Sequence, residues 1–185
     1  MQDRSPSRRI AFLSVFCLLS VLCAYVEVLI PIRFGIPGVK LGIANLVTLL
    51  ILFVNKDSSE RFSKRRFFDA LLVLLVRVLI ITLLFGSVSA LPYSLGGGIA
   101  SLLVMWIISS FSFFHIVGTS VLGAITHNLI QLLIAMILVD TLQIVWYMPV
   151  LLFAGTITGF LLGLFAVILL SRKGLWTYYD RFFER

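Results

Sequence analysis

FDALLVLLVRVLIITLLFG, residues 68–86, decides the fold. It is an apolar run whose charged residues are Asp69 at its start and one arginine, Arg77, near its middle. Runs of this kind build spanning helices, because a helix rising 1.5 Å per residue needs about 20 apolar residues to cross roughly 30 Å of hydrocarbon. A lipid-facing barrel strand would alternate polar and apolar positions instead. Working outward, similar runs lie at about residues 10–31, 41–54, 95–111, 118–138 and 146–171. Together they predict an all-α integral membrane protein, a six-transmembrane-helix bundle forming one domain over residues 1–185. The run at 41–54 is short for a span unless it begins near Gly38. Pro31 and Pro37 bracket the first connection, Pro92 and Gly96 to Gly98 mark the third, and Pro149 suits the first turn of the last helix.

Composition excludes other classes. Of 185 residues 61% are hydrophobic and 12% charged, whereas soluble domains are close to half apolar and about a quarter charged. Six spans leave no room for a soluble catalytic domain, and sixteen Phe among many Leu, Ile and Val exclude disorder and low complexity. The net charge of +7 would point to nucleic acid in a soluble chain, but here it reports topology. Arg4, Arg8 and Arg9, then Lys56, Arg61, Lys64, Arg65 and Arg66, then Arg172, Lys173, Arg181 and Arg185 make 12 of the 15 basic residues, all on one side of a six-span chain. Both termini are therefore expected in the cytoplasm, in a multi-pass protein of the bacterial cytoplasmic membrane, with no nucleic-acid partner.

The first run is too long for a signal peptide and lacks a small-x-small cleavage site. Residues 172–185, with Trp176, Tyr178, Tyr179, Phe182 and Phe183 among basic residues, fit either an amphipathic helix on the inner leaflet or an aromatic belt. Cys17 and Cys23 are six apart on one helix and read as small packing residues.

Three basic residues remain: Arg33, Lys40 and Arg77. An arginine facing lipid near the midplane costs roughly 2.5–3.5 kcal/mol on insertion scales, so Arg77 should face protein or a wet cavity. It could serve an internal ion pair, a tie to backbone carbonyls, or an anion-binding site. Depth at 1.5 Å per residue places Glu27 near the outer end of span one, with Lys40 at the rim of span two and Asn45 about two turns below it. On span five His127 and Gln131 are i,i+4 neighbours and Asn128 and Gln131 are i,i+3 neighbours, so the three are assigned to one side. Tyr93 and Ser94 stand at the outer entrance of span four. These polar groups predict an outward-facing cavity with Arg77 deepest; singly, each also reads as interhelical hydrogen-bond glue.

Small residues form a second pattern. Gly155, Gly159 and Gly163 repeat every four residues, as do Gly38 and Gly42, and Ser14, Cys17, Ser20 and Ala24 make a looser stripe. Such spacing lets helix backbones approach closely, either inside the bundle or at the face of a partner helix.

Catalytic signatures are missing. There is no GxxxxGK[ST], so the chain does not carry its own ATPase. Asp3, Asp57, Asp69, Asp140 and Asp180 are isolated, which removes the Asp-rich pair that holds magnesium and diphosphate in prenyl-transferring enzymes. Two histidines without nearby cysteines or carboxylates give no metal signature, and no nucleophile, base and orienting acid can be assembled. The chain is read as neither an enzyme nor a cofactor binder.

The residues do resemble a family. Glu27 with Ile30-Pro31, the segment Ile36-Pro37-Gly38-Val39-Lys40-Leu41-Gly42-Ile43-Ala44-Asn45-Leu46-Val47-Thr48-Leu49, Arg77 with Phe85-Gly86, Tyr93-Ser94-Leu95-Gly96-Gly97, and Gly123-Ala124 with His127-Asn128-Leu129-Ile130-Gln131 look like the Gx transporter family. That family is also labelled heptaprenyl diphosphate synthase component I, and is similar to substrate-binding S components of energy-coupling factor (ECF) transporters. The resemblance covers nearly the whole chain and rests chiefly on Pro37 to Leu49 and the His-Asn-x-x-Gln run. It implies a six-helix protein that captures a small molecule, vitamin-like or isoprenoid-related, in a pocket under the loop Pro31 to Lys40. It also implies association with a transmembrane T subunit and two ATPase subunits, with small residues on the first helix docking to the T subunit.

Glu27, Lys40, Asn45, Arg77, Tyr93, His127, Asn128 and Gln131 are thus the expected substrate-binding residues, and Ser14, Ser20, Ala24, Gly155, Gly159 and Gly163 the expected partner-helix positions. The alternative function is a noncatalytic membrane subunit of prenyl diphosphate or quinone biosynthesis, binding from the cytoplasmic side through loop 55–67. A structural subunit of a larger membrane complex is the third reading.

Overall fold

The computed structural model of the chain describes residues 6–29, 42–54, 64–85, 88–111 and 113–171. Among them are six α-helices, each on one of the apolar runs, and no strand. They are α1 (Pro6–Leu29), α2 (Asn45–Phe53), α3 (Lys64–Phe85), α4 (Leu91–Ser109), α5 (Ile116–Val139) and α6 (Met148–Ser171), with short 3-10 turns at Val88–Ala90 and Leu142–Tyr147. Five of the six are long and apolar enough to cross a membrane.

The exception is α2. Nine residues rise only about 13 Å, less than half of a hydrocarbon core. Its start explains why. Gly42 has φ +79°, a left-handed conformation that a helix cannot contain, so the chain turns at 42–44 and the helix begins at Asn45. The expected place for Asn45, two turns inside a longer helix, is corrected: it is the first helical residue. Lys40, Gly38 and the loop Pro31 to Lys40 lie outside the described residues, as do the tail 172–185 and most of the loop 55–67.

Short as it is, α2 is the centre of the bundle. Every residue from Asn45 to Leu52 is buried, and the helix packs against each of the other five. Phe12 and Phe16 of α1, Val73 and Leu74 of α3, and Leu102 and Met105 of α4 close around it in the main core. The outer face is apolar instead: Leu83, Ile137 and Phe153 are 82%, 77% and 71% exposed, while Ser101, Thr119 and Gln131 are at most barely exposed inside. Greasy outside and polar within is the pattern of a multi-pass membrane protein. At the opposite end from Glu27, Arg9 of α1 donates through both Nε and Nη2 to Asp69 of α3, joining the two helices.

The longest seam joins α5 and α6. A Cβ at Gly159 would lie 2.7 Å from Val121 Cα, and one at Gly163 would lie 2.8 Å from Val117 Cα. These glycines let two backbones touch, so their small face is taken by α5 of the same chain and not by a partner helix. The first-helix stripe is corrected as well. Ser20 and Ala24 are buried within the bundle while Ser14 is exposed and donates to Ile10 O, so the three do not share one outward face.

Candidate functional site

One cleft gathers most of the expected polar residues. Glu27 lies two residues before the end of α1, Asn45 opens α2, and Ser94 lies in the first turn of α4. Arg77 and Thr82 of α3 and His127 and Gln131 of α5 complete its polar lining. Ala24, Ala44, Val78 and Ile81 supply apolar wall, and the space free of protein atoms is about 510 Å³, open mouth included.

The local sequence places each group. The break at Gly42 ends the chain's approach to α2 inside the bundle, and the Gly42 N–H donates to Glu27 Oε1. Asn45 N–H then donates to Gly42 O, and Leu46 N–H to Ile43 O, a tight first turn. Asn45 Nδ2 lies 3.5 Å from Ser101 Oγ on α4. His127 is held between two glycines: a Cβ on Gly42 would be 3.3 Å from its Cδ2, and a Cβ on Gly97 would be 3.0 Å from its Cε1 and Nδ1. Gln131 sits one turn further along α5, beside the same Gly97.

Arg77 is only 5% exposed, and its Nη1 has no hydrogen-bond partner among the described residues. Nor does any described carboxylate form an ion pair with it; Glu27 acts on it electrostatically from the same cleft. A buried guanidinium with a donor left over is costly to keep and is characteristic of an intramembrane functional site.

Two expected members are placed elsewhere. Asn128 is about 100° around the helix from His127 and faces α6, where its Nδ2 donates 3.0 Å to Leu151 O. Tyr93 is buried against Leu132, Ala135 and Leu151, away from the cleft. Lys40 lies outside the described residues. Asn128→Ala is therefore expected to lower stability by about 0.5–2 kcal/mol, the worth of a buried hydrogen bond, and to leave ligand affinity unchanged. Thermal melting and ligand titration on the same preparation check both halves.

Ser101, Gly97 and Gly42 were not among the expected site residues. Their signal is present in part: Ser94, Gly97 and Ser101 follow an i, i+3, i+7 spacing along one face of α4. Gly42 is visible as a small residue four positions after Gly38, a spacing that does not reveal its place in the cleft.

Among the described residues, no group of three histidine, cysteine or acidic side chains is placed to hold a metal. No curated protein and no solved structure matches the chain. A family profile does, over residues 16–169, which runs from α1 almost to the end of α6 and includes every lining residue of the cleft. The chain belongs to the heptaprenyl diphosphate synthase component I family.

Proposed function

We propose that this chain is an S-component-like subunit that captures a small molecule from outside for import driven by other chains. The observation that carries the reading is Arg77, a buried guanidinium with an unpartnered Nη1 in a cleft lined by Glu27, Asn45, His127 and Gln131. In a six-span arrangement with both termini in the cytoplasm, the cleft opens outward, since Glu27, Asn45 and Ser94 lie at helix ends on the side away from Arg9 and Asp69. The half-length α2 supports the same reading, because a helix that starts inside the membrane brings its N-terminal backbone to the substrate. The chain holds no nucleotide-binding motif, so the energy comes from partners, a transmembrane T subunit and two ATPase subunits. Release inward then requires the bundle to tilt or rearrange when the ATPase acts.

A second reading is favoured by the family description, which names one component of a synthase. It makes the chain a noncatalytic membrane subunit associated with prenyl diphosphate or quinone biosynthesis. Purification in mild detergent from its native membrane, with mass spectrometry of co-purifying chains, separates the two. ATPase and T subunits are the expected result; a soluble prenyl synthase supports the second reading. Recovery of neither overturns both.

A further inference from the structure

We infer that the outer half of α1 is a gate on the cleft, and that Glu27 is the positioning residue that holds it shut through the Gly42 N–H rather than a group that contacts the ligand. Ala24 and Glu27 form the α1 side of the cleft, and α2, α3, α4 and α5 supply most of the rest. Of the five long helices α1 is the least buried, and it packs mainly on α3 with a smaller contact on α2. Its two halves are held differently. The inner half carries Phe12 and Phe16, buried in the main core, and the Arg9–Asp69 ion pair to α3. Over residues 21–29 the one buried side chain is small, Ala24, packed with Ala44 and Ile81, while Tyr25, Val26, Val28 and Leu29 are exposed.

A methyl group interlocks little with its neighbours, so the outer half depends on its ties. Glu27 Oε1 accepts from the Gly42 N–H, and the Tyr25 ring stacks on Phe85 of α3 with centroids 5.7 Å apart. The first tie is the stronger, because an ionised acceptor on a backbone N–H holds better than a half-exposed ring stack. It also spans the mouth of the cleft. The Gly42 N–H takes no part in the turn it opens, whose bonds run from Asn45 and Leu46 N–H to Gly42 and Ile43 O, so it is directed to α1 instead. This bond suffices, whatever other group the carboxylate also meets. With its inner half pinned by Phe12 and Phe16, α1 opens by tilting at its outer end, which parts Ala24 from Ile81 and uncovers the α3 wall at Val78 and Arg77. The gate deepens the capture reading and rests on it only for what passes through.

The test reads opening with no ligand and no partner. In the full chain carrying C17A and C23A, purified in mild detergent, Val78→Cys reports on the cleft wall, and Val73→Cys, buried nearer the Asp69 end of the same helix, reports on the bundle. A neutral, water-soluble methanethiosulfonate reaches a buried thiol through the open state, so the labelling rate follows the open population. E27A is expected to speed labelling at position 78 by about tenfold or more, the worth of a lost charge-assisted hydrogen bond, and to leave position 73 unchanged. E27Q keeps an acceptor for the Gly42 N–H and should label close to the parent rate at both. Y25A removes the ring stack alone and should speed position 78 by a smaller factor. An unchanged rate at 78 in E27A or Y25A, E27Q labelling as fast as E27A, or 73 rising in step with 78 would each overturn the inference. If E27A does not fold, Y25A decides; if Val78→Cys does not, Thr82→Cys in the same wall replaces it. A gate read in this way without co-purifying T or ATPase subunits sustains this inference while removing the importer reading; those subunits with unchanged labelling do the reverse.

Discussion

Gly159→Val is expected to destabilise the folded bundle by about 3 kcal/mol or more, seen as a large drop in melting temperature in mild detergent. The reason is the nature of the atoms it would meet. A Cβ at Gly159 lies 2.7 Å from Val121 Cα and 3.1 Å from Ser120 O, both backbone, and 3.0 Å from Ala124 Cβ. None can rotate away, so α6 must move off α5, and the close-packed contacts along the whole seam loosen together. Gly118→Ala is the matched control. Its new Cβ would meet nothing nearer than Phe114 Cδ1 at 3.5 Å, so a better helix former should leave stability unchanged or raise it by up to about 1 kcal/mol. A Gly159→Val protein melting with the wild type would mean that the α5–α6 backbones are not in contact. The effect also tests the assignment of this glycine face to the bundle interior, because a mutation on an outward docking face would spare the isolated chain.

Much of this was legible in the sequence for physical reasons. Lipid forces every backbone polar group into helical hydrogen bonds, so a continuous apolar run such as 68–86 has little choice but to be a helix. The same logic makes Arg77 conspicuous, since one cation in such a run must have somewhere to go. Rotation about the helix axis is where the reading failed. His127 and Asn128 are adjacent in sequence, yet one enters the cleft and the other reaches Leu151 O on α6. With both neighbours of α5 apolar and glycine-rich, hydrophobicity does not say which face meets which helix. Tyr93 and Ser94 part in the same way, the first into the cluster with Leu132 and Leu151, the second into the cleft. That α2 would be short was legible, but where it starts was hidden for another reason. Residues 41–54 read as one apolar run, and only the positive φ of Gly42, a conformational fact rather than a compositional one, starts the helix at Asn45.

Gly97→Val is expected to abolish ligand binding, by about a hundredfold or more, with a smaller loss of stability than Gly159→Val. Gly97 sits on α4 against the imidazole of His127, with ideal Cβ distances of 3.0 Å to Cε1 and Nδ1 and 3.1 Å to Gln131 Cγ. On its other side the ring already meets the Gly42 turn, where a Cβ would be 3.3 Å from Cδ2. A branched side chain at 97 therefore cannot push His127 toward α2 without opening the turn that Glu27 holds through the Gly42 N–H. The ring and Gln131 must swing into the cleft, where the ligand would lie. Because the displaced atoms belong to side chains and not to backbone, the helices stay packed and the folding penalty stays near the 1–3 kcal/mol typical of overpacking. Gly96→Ala provides the contrast one residue away. Its Cβ would strike Ile134 Cδ1 at 2.4 Å, the end of a flexible side chain outside the cleft, so any cost falls on stability and none on affinity. Titration of both variants with a small molecule that the wild type binds, beside their melting curves, reads the two effects separately. Wild-type affinity in a folded Gly97→Val protein would remove His127 and Gln131 from the binding surface and leave Arg77 to hold the ligand without them.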